Sequence, residues 1–170
     1  MADEKSGSIS SSIVALPDFP GEEVLSHEGR MWKAAAITKF AAHELISVVE
    51  TGVHPAMNEI IIVDVDNELP MLAPQDPQYH RRLSERKRIE MQNATNRERI
   101  KRLTYKAWNV AFESLRQACV KNAPLLAFEL YQLCAISDPQ VPLGTFDGPR
   151  AWRILDARIE GGDGERTEFD

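Results

Sequence analysis

Apolar residues recur every three or four positions over most of the chain, which is the spacing of helices that bury one face. The first such stretch runs from about residue 28 to residue 50. It contains two neighbouring apolar rows, Ile37, Ala41, Leu45 and Val48 in one and Trp32, Ala36 and Phe40 in the other. Ser26 is positioned as its N-cap, and Gly52 as the glycine that ends it. The pattern predicts a long first helix.

The second half of the chain predicts three further helical segments. Helical spacing runs from about Tyr79 to Lys121, with a break expected near residues 93–96, and it is strongest after the break. Pro124 is suited to open a shorter helix, because the first turn does not need its missing N–H. Asp147 is a candidate cap for a last helix over about residues 149–160.

One segment departs from helical spacing. Residues 60–65 read Ile-Ile-Ile-Val-Asp-Val, a β-branched cluster typical of a strand. The chain offers no second strand to pair with it, and Pro70, Pro74 and Pro77 interrupt the following residues. We therefore expect a buried extended connector, and overall an all-α bundle of four to five helices.

Composition divides the chain into three parts. Residues 1–22 are rich in Ser, Gly and charge and predict a disordered N-terminal segment. Residues 23–160 hold the helical domain, and residues 161–170 form an acidic, glycine-rich tail that is expected to be flexible.

Several sequence features indicate an intracellular protein. The N-terminus lacks the apolar core of a signal peptide, and no apolar run reaches the roughly 20 residues of a membrane span. Cys119 and Cys134 lie among apolar residues, so each is expected to be a small buried side chain rather than half of a disulfide. We expect a cytoplasmic protein, with the nucleus as the alternative, and no membrane partner.

Charge is unevenly distributed along the chain. The net charge is −6, yet the segment from residue 81 to 102 carries nine Lys or Arg against three acids, which is +6 and leaves −12 elsewhere. Its basic residues are Arg81, Arg82, Arg86, Lys87, Arg88, Arg97, Arg99, Lys101 and Arg102. Such a cluster is expected to contact RNA phosphates or another copy of the chain. The alternative is a solvated helix face with pairs such as Glu98 and Lys101, and no aromatic residue lies between Arg81 and Leu103 to stack on bases.

Catalytic and metal-binding signatures are not found in the sequence. The four histidines are scattered singly, and the calcium-loop-like Asp64-Val65-Asp66-Asn67 lacks the glycine and glutamate that such a loop requires. A glycine-rich phosphate loop and a nucleophile elbow are absent too. We therefore expect no enzyme, no cofactor, no metal and no small-molecule substrate. Trp32, Trp108 and Trp152 fall on three predicted helices and are expected to meet in one core.

Three segments resemble the Gag region of LTR retrotransposons, in particular of the Copia type. They are Trp32-Lys33-Ala34-Ala35-Ala36, Lys106–Leu115 and Asp147–Leu155, and the resemblance covers about residues 23–160. It implies a capsid-like helical domain that self-associates and encloses RNA, with the three tryptophans in its core. The chain carries no Cys/His zinc knuckle, which leaves the basic segment as the candidate RNA contact.

Our leading hypothesis is a non-enzymatic structural protein that self-assembles and contacts RNA. The alternative is a monomeric helical adaptor that docks a partner protein. A third reading is a small helical enzyme in which arginines of the basic segment clamp an anionic metabolite.

Overall fold

The computed structural model describes residues 12–161, and within this range the chain is all-α with no strand. The predicted helical bundle is confirmed. Six α-helices follow one another, of which the second and third are short: α1 Ser26–Ala42, α2 Ile46–Thr51, α3 Val65–Glu68, α4 Tyr79–Val120, α5 Pro124–Cys134 and α6 Gly148–Glu160. A 3-10 helix, Pro55–Glu59, lies between α2 and α3.

The predicted first helix is two helices separated by a tight turn. α1 ends at Ala42, and Glu44 adopts a left-handed conformation with φ of 59°. The N–H of Leu45 then donates to the Phe40 carbonyl at 2.8 Å, which closes the end of α1 and directs the Leu45 side chain into the core. Gly52 ends α2 with φ of 82°, as predicted. Ser26 does not cap α1, so that prediction is wrong.

α4 is one continuous helix of 42 residues, about 63 Å long at 1.5 Å per residue. The break expected near residues 93–96 is therefore wrong. Neither glycine nor proline occurs within the helix, and the asparagines that suggested a break bond to another part of the chain. From Ala107 onward the helix lies in the core, whereas Asn93 is its one buried residue before that point.

The core lies where α6 packs between α1, α2 and the second half of α4. The rings of Trp32 and Trp152 lie 6.2 Å apart, and Phe40 meets Trp152 edge-on at 5.9 Å. Trp108 is half-buried at the edge of this core, where its indole N–H donates to the Gly52 carbonyl at 2.9 Å. Two of the three tryptophans thus meet directly, and the third packs on the same core from outside.

The chain before α1 lacks regular secondary structure but is packed against the bundle from residue 12 onward. Val14 and Phe19 are buried, and the Phe19 N–H donates to the Ala118 carbonyl at 2.7 Å. The sequence predicted disorder through residue 22, whereas residues 12–22 gain order because their few apolar side chains complete the core. Residues 1–11 of that segment, and the predicted tail from residue 162, lie outside the described residues.

The N-termini of α5 and α6 lie where the sequence predicted them, and in each a carboxylate binds the backbone N–H groups of the first turn. Pro124 is the first residue of α5, whose free N–H groups at Leu125 and Leu126 donate to the Glu22 carboxylate at 2.7 and 3.1 Å. Asp147 caps α6 by accepting from the Arg150 N–H at 2.9 Å. A carboxylate at a helix N-terminus also interacts favourably with the helix dipole.

Candidate interaction surfaces on α4 and α5

The first part of α4, residues 79–106, is called the arm here. All nine predicted basic residues lie on it, and Asn93 is its one buried side chain. The arm is accompanied by the chain that precedes it, residues 57–78, called the connector here. Thus the predicted site lies on a helix segment outside the core, where its neighbour is the connector.

The connector runs antiparallel to the arm. The Ile61 carbonyl bonds to Asn96, Val63 bonds to Asn93, and the Pro70 carbonyl bonds to Arg82. The extended conformation expected for this segment is present around residues 60–64. The expected burial is wrong, because Ile61 is 69% exposed and Ile62 is 36% exposed.

Two asparagines hold the extended part of the connector. The Asn93 side chain accepts from the Val63 N–H at 3.0 Å and donates to the Val63 carbonyl at 2.8 Å. The Asn96 side chain donates to the Ile61 carbonyl at 3.0 Å. Sequence reasoning missed this role, although Asn93 falls in line with Ile89 and Ile100 on the connector-facing row of α4.

Two of the predicted basic residues are engaged within the chain. Arg86 has a side chain only 12% exposed, and its guanidinium donates to the carbonyls of Leu69 and Val65 and to the Asp66 carboxylate at 2.6 Å. Arg82 donates to the Pro70 carbonyl at 2.6 Å. The planar guanidinium group is suited to binding several oxygen atoms at once, because it presents several donors in a fixed geometry. Both residues therefore position the connector.

The connector also neutralises much of the charge of the arm. It contains five acids and no Lys or Arg, so that a segment of −5 lies along the arm, which carries +7 with Lys106 included, and the two together carry +2. The acids are Glu59, Asp64, Asp66, Glu68 and Asp76. The net charge of the basic segment alone therefore overstates the attraction of this region for a polyanion.

Three cations nevertheless line up on the side of the arm away from the connector. They form what is called the basic row: Arg99, Arg102 and Lys106. All three are exposed, and none has a hydrogen bond or ion pair that the structure shows within residues 12–161. At 100° per residue they fall within about 60° of one another and span about 10 Å of helix. Lys106 was missed because the basic segment was ended at Arg102.

The remaining predicted residues do not join this row. Arg81 pairs with Glu85 at 3.4 Å, and Lys101 pairs with Glu98 at 3.8 Å. Both pairs are solvent-exposed and contribute little to stability. Lys87 is exposed, Arg88 lines one groove beside the connector, and Arg97 lines another.

That groove is one of two that flank the connector, of about 480 and 430 Å³, and both are predominantly acidic. Charged residues of the first are Asp64, Glu68, Glu85 and Arg88, and those of the second are Asp64, Asp66, Glu90 and Arg97. In each groove three carboxylates oppose one guanidinium. Asp64, Asp66, Glu68 and Glu90, all exposed, are called the acidic face here.

A different surface lies on the outer side of α5. Leu126, Leu130 and Cys134 are buried on its inner side, yet Leu125 is 74% exposed and Phe128 is 61% exposed on the other. A groove of about 220 Å³ opens beside Phe128, between α5 and the end of α4. Its walls are Arg116, Val120, Pro124, Ala127, Phe128 and Tyr131. α5 is thus apolar on both sides, which is unusual for a helix at a protein surface.

The thiols have no reactive environment. Cys119 and Cys134 are buried and free, as predicted, and burial raises their pKa to about 12 and about 11. Within residues 12–161 no group of three or more His, Cys, Asp or Glu side chains is arranged to hold a metal ion. Likewise, no helix in the described range is long and apolar enough to cross a membrane.

Comparison with known proteins adds no family to this picture. No protein-family model, no curated protein and no solved structure matches the chain. The function is therefore inferred from the arm, the connector and α5.

Proposed function

We propose that this chain is a non-enzymatic structural protein that self-associates, as its resemblance to retrotransposon Gag implies. The observation that carries the proposal is the outer face of α5, where Leu125 and Phe128 are exposed beside an apolar groove. A helix that is apolar on both sides belongs between two protein layers, and the bundle supplies only one of them.

A second copy of the chain is the occupant that this face fits best. The Phe128 side chain is 61% exposed and forms one wall of a groove of about 220 Å³. A two-fold contact between identical subunits pairs the same patch on both copies, so an exposed ring beside a recess can be used twice. Arg116, whose guanidinium lies 4.9 Å from the Tyr131 ring, lines the groove while its charge is paired with Glu113.

RNA contact is a second candidate function, favoured by the basic row. Arg99, Arg102 and Lys106 lie on one exposed face, an arrangement that suits phosphates. Among residues 12–161, Glu98 is the one acid that lines the same groove as Arg102 and Lys106. Binding of this kind would weaken steeply as salt is raised.

The proposal includes an intracellular location and no chemical step. Free thiols such as Cys119 and Cys134 persist in a reducing compartment, so we propose the cytoplasm or the nucleus. The high pKa of both thiols, about 12 and about 11, keeps them in the unreactive protonated form.

The test is light scattering after size-exclusion chromatography of the chain and of the double variant Leu125→Glu, Phe128→Glu. The parent is expected to show concentration-dependent assemblies, and the double variant to assemble much more weakly, because two carboxylates would be buried in the α5 contact. Circular dichroism establishes that the variant folds.

A matched control replaces an exposed apolar residue elsewhere. Met31, 63% exposed on α1, is changed to Glu and is expected to leave assembly unchanged. A parent chain that stays monomeric up to millimolar concentration would overturn the proposal and favour the adaptor reading, in which another protein covers α5.

A further inference from the structure

We infer that the arm is a second, electrostatic contact between copies, in which the acidic face of one copy binds the basic row of another. The inference builds on the proposed self-association and names surfaces and partner for it. It differs from the α5 contact because the two participating surfaces are different and of opposite charge.

The charges of the two surfaces are complementary. The basic row presents three cations, and the groove that Arg102 and Lys106 line contains one further cation, Lys101, and one acid, Glu98. The acidic face presents four carboxylates, of which only Asp66 is engaged in an ion pair that the structure shows within residues 12–161. Opposed patches of this kind accelerate association and select one orientation of the partner.

The two surfaces face in different directions. Counted at 100° per residue, Arg99 and Arg102 lie between about one third and one half of a turn around the helix from Asn93, which faces the connector. One copy therefore cannot bring its basic row onto its own acidic face. A contact between two unlike surfaces is heterologous, and repeated copies form a ring or an extended filament.

A protein partner fits the arm better than RNA does. The arm and connector together carry only +2, and the acidic face repels the same phosphates that the basic row attracts. Residues 81–102 hold no aromatic side chain on which bases could stack. A second copy offers complementary charge to both surfaces, whereas RNA complements the basic row only.

The experiment uses charge reversal on each surface of the full chain. One variant carries Glu68→Lys and Glu90→Lys, and the other carries Arg99→Glu and Arg102→Glu. All four side chains are exposed, so the fold is expected to survive, which circular dichroism checks. Sedimentation velocity at low salt is expected to show each variant alone associating at least tenfold more weakly than the parent.

The decisive sample is an equimolar mixture of the two variants. Its association is expected to return towards that of the parent, because each intact surface meets its intact partner and the two reversed surfaces complement each other. Raising salt from about 50 to about 500 mM should weaken association of the parent, since exposed charges are screened. Arg150→Glu with Arg153→Glu, an equal charge change on exposed residues of α6, is the control and is expected to have no effect.

The outcomes separate this inference from the proposed function. If both arm variants associate like the parent, or the mixture does not recover, the arm contact is wrong while assembly through α5 stands. If Arg99→Glu with Arg102→Glu abolishes binding of a single-stranded RNA but leaves assembly unchanged, the basic row belongs to RNA and the inference is overturned. A strictly monomeric parent would overturn both.

Discussion

Asn93 binds the backbone of Val63 through both atoms of its side-chain amide. The Oδ1 atom accepts from the Val63 N–H at 3.0 Å, and the Nδ2 atom donates to the Val63 carbonyl at 2.8 Å. The pair resembles one rung of a sheet, with a helix side chain in the place of the second strand. It explains how a β-branched segment remains extended beside a helix without a strand partner.

Replacing Asn93 with Ala is expected to lower the free energy of unfolding by about 1–3 kcal/mol, because the Val63 backbone loses both partners. Asn93→Leu should also destabilise, although it restores apolar contact on that row of α4. Urea unfolding and hydrogen exchange at the Val63 amide measure the effects. Ser84→Ala, an exposed position on the arm, is the control, and a fully stable Asn93→Leu would show that packing alone holds the connector.

The start of α6 depends on a glycine at position 148. A Cβ atom there would lie 2.6 Å from the Trp108 carbonyl oxygen and 3.2 Å from the Phe112 nitrogen, both atoms of the α4 backbone. Gly148→Ala is therefore expected to force the two helices apart and cost about 1–3 kcal/mol.

The prediction is checked by comparing the thermal unfolding midpoints of Gly148→Ala and of a control variant, Gly21→Ala. At position 21 the nearest heavy atom to an added Cβ is the Asn122 carbonyl oxygen at 3.9 Å, an ordinary contact. The control is expected to unfold at nearly the parent temperature. Equal midpoints for the two variants would contradict the close packing of α6 on α4.

His54 is expected to make stability depend on pH in the weakly acidic range. The side chain is buried, its Nδ1 accepts from the Ala56 N–H at 3.0 Å, and burial lowers its pKa below 6.5 despite the nearby Glu44. The unfolded chain therefore binds the proton first, so stability is complete above pH 6.5 and falls as the pH drops towards the folded pKa. The slope cannot exceed about 1.4 kcal/mol per pH unit for one group.

His54→Asn isolates this contribution. Asparagine keeps a side-chain acceptor at the start of the 3-10 helix but does not titrate. Urea unfolding at several pH values between 6.5 and 5 is expected to show a smaller slope for the variant. Glu113, whose pKa is lowered from 4.5 chiefly by its hydrogen bond with Arg116, affects a more acidic range. Parallel curves for parent and variant would contradict the prediction.

The two cysteines are expected to be unreactive in the folded chain. With a pKa of about 12, Cys119 has about one thiolate in ten thousand at pH 8, and its side chain is inaccessible. A thiol reagent at pH 8 should modify neither Cys119 nor Cys134 in the native protein and both in denaturant. Rapid modification of the native protein would show that the core around α5 opens readily.

The sequence alone determined the features that depend on a few neighbouring residues. Pro124 and Asp147 mark the beginnings of α5 and α6, and Gly52 marks the end of α2, because caps and prolines act within one helical turn. Apolar spacing of three and four predicted the all-α bundle, since each helix must bury one face. The sequence showed the positive charge of the basic segment, but it did not show which residues lie beside that segment.

Only the tertiary structure decided how distant segments complete one another. Asn93 lies 30 residues from Val63, and the Val14 N–H donates to Ser114 across 100 residues, so no local pattern announces either bond. The first holds the connector against α4, and the second helps to order the chain before α1. The fate of the basic residues was decided in the same way: Arg86 turns inward to the connector, whereas Arg99 stays exposed, because an acidic segment lies along one side of the arm only.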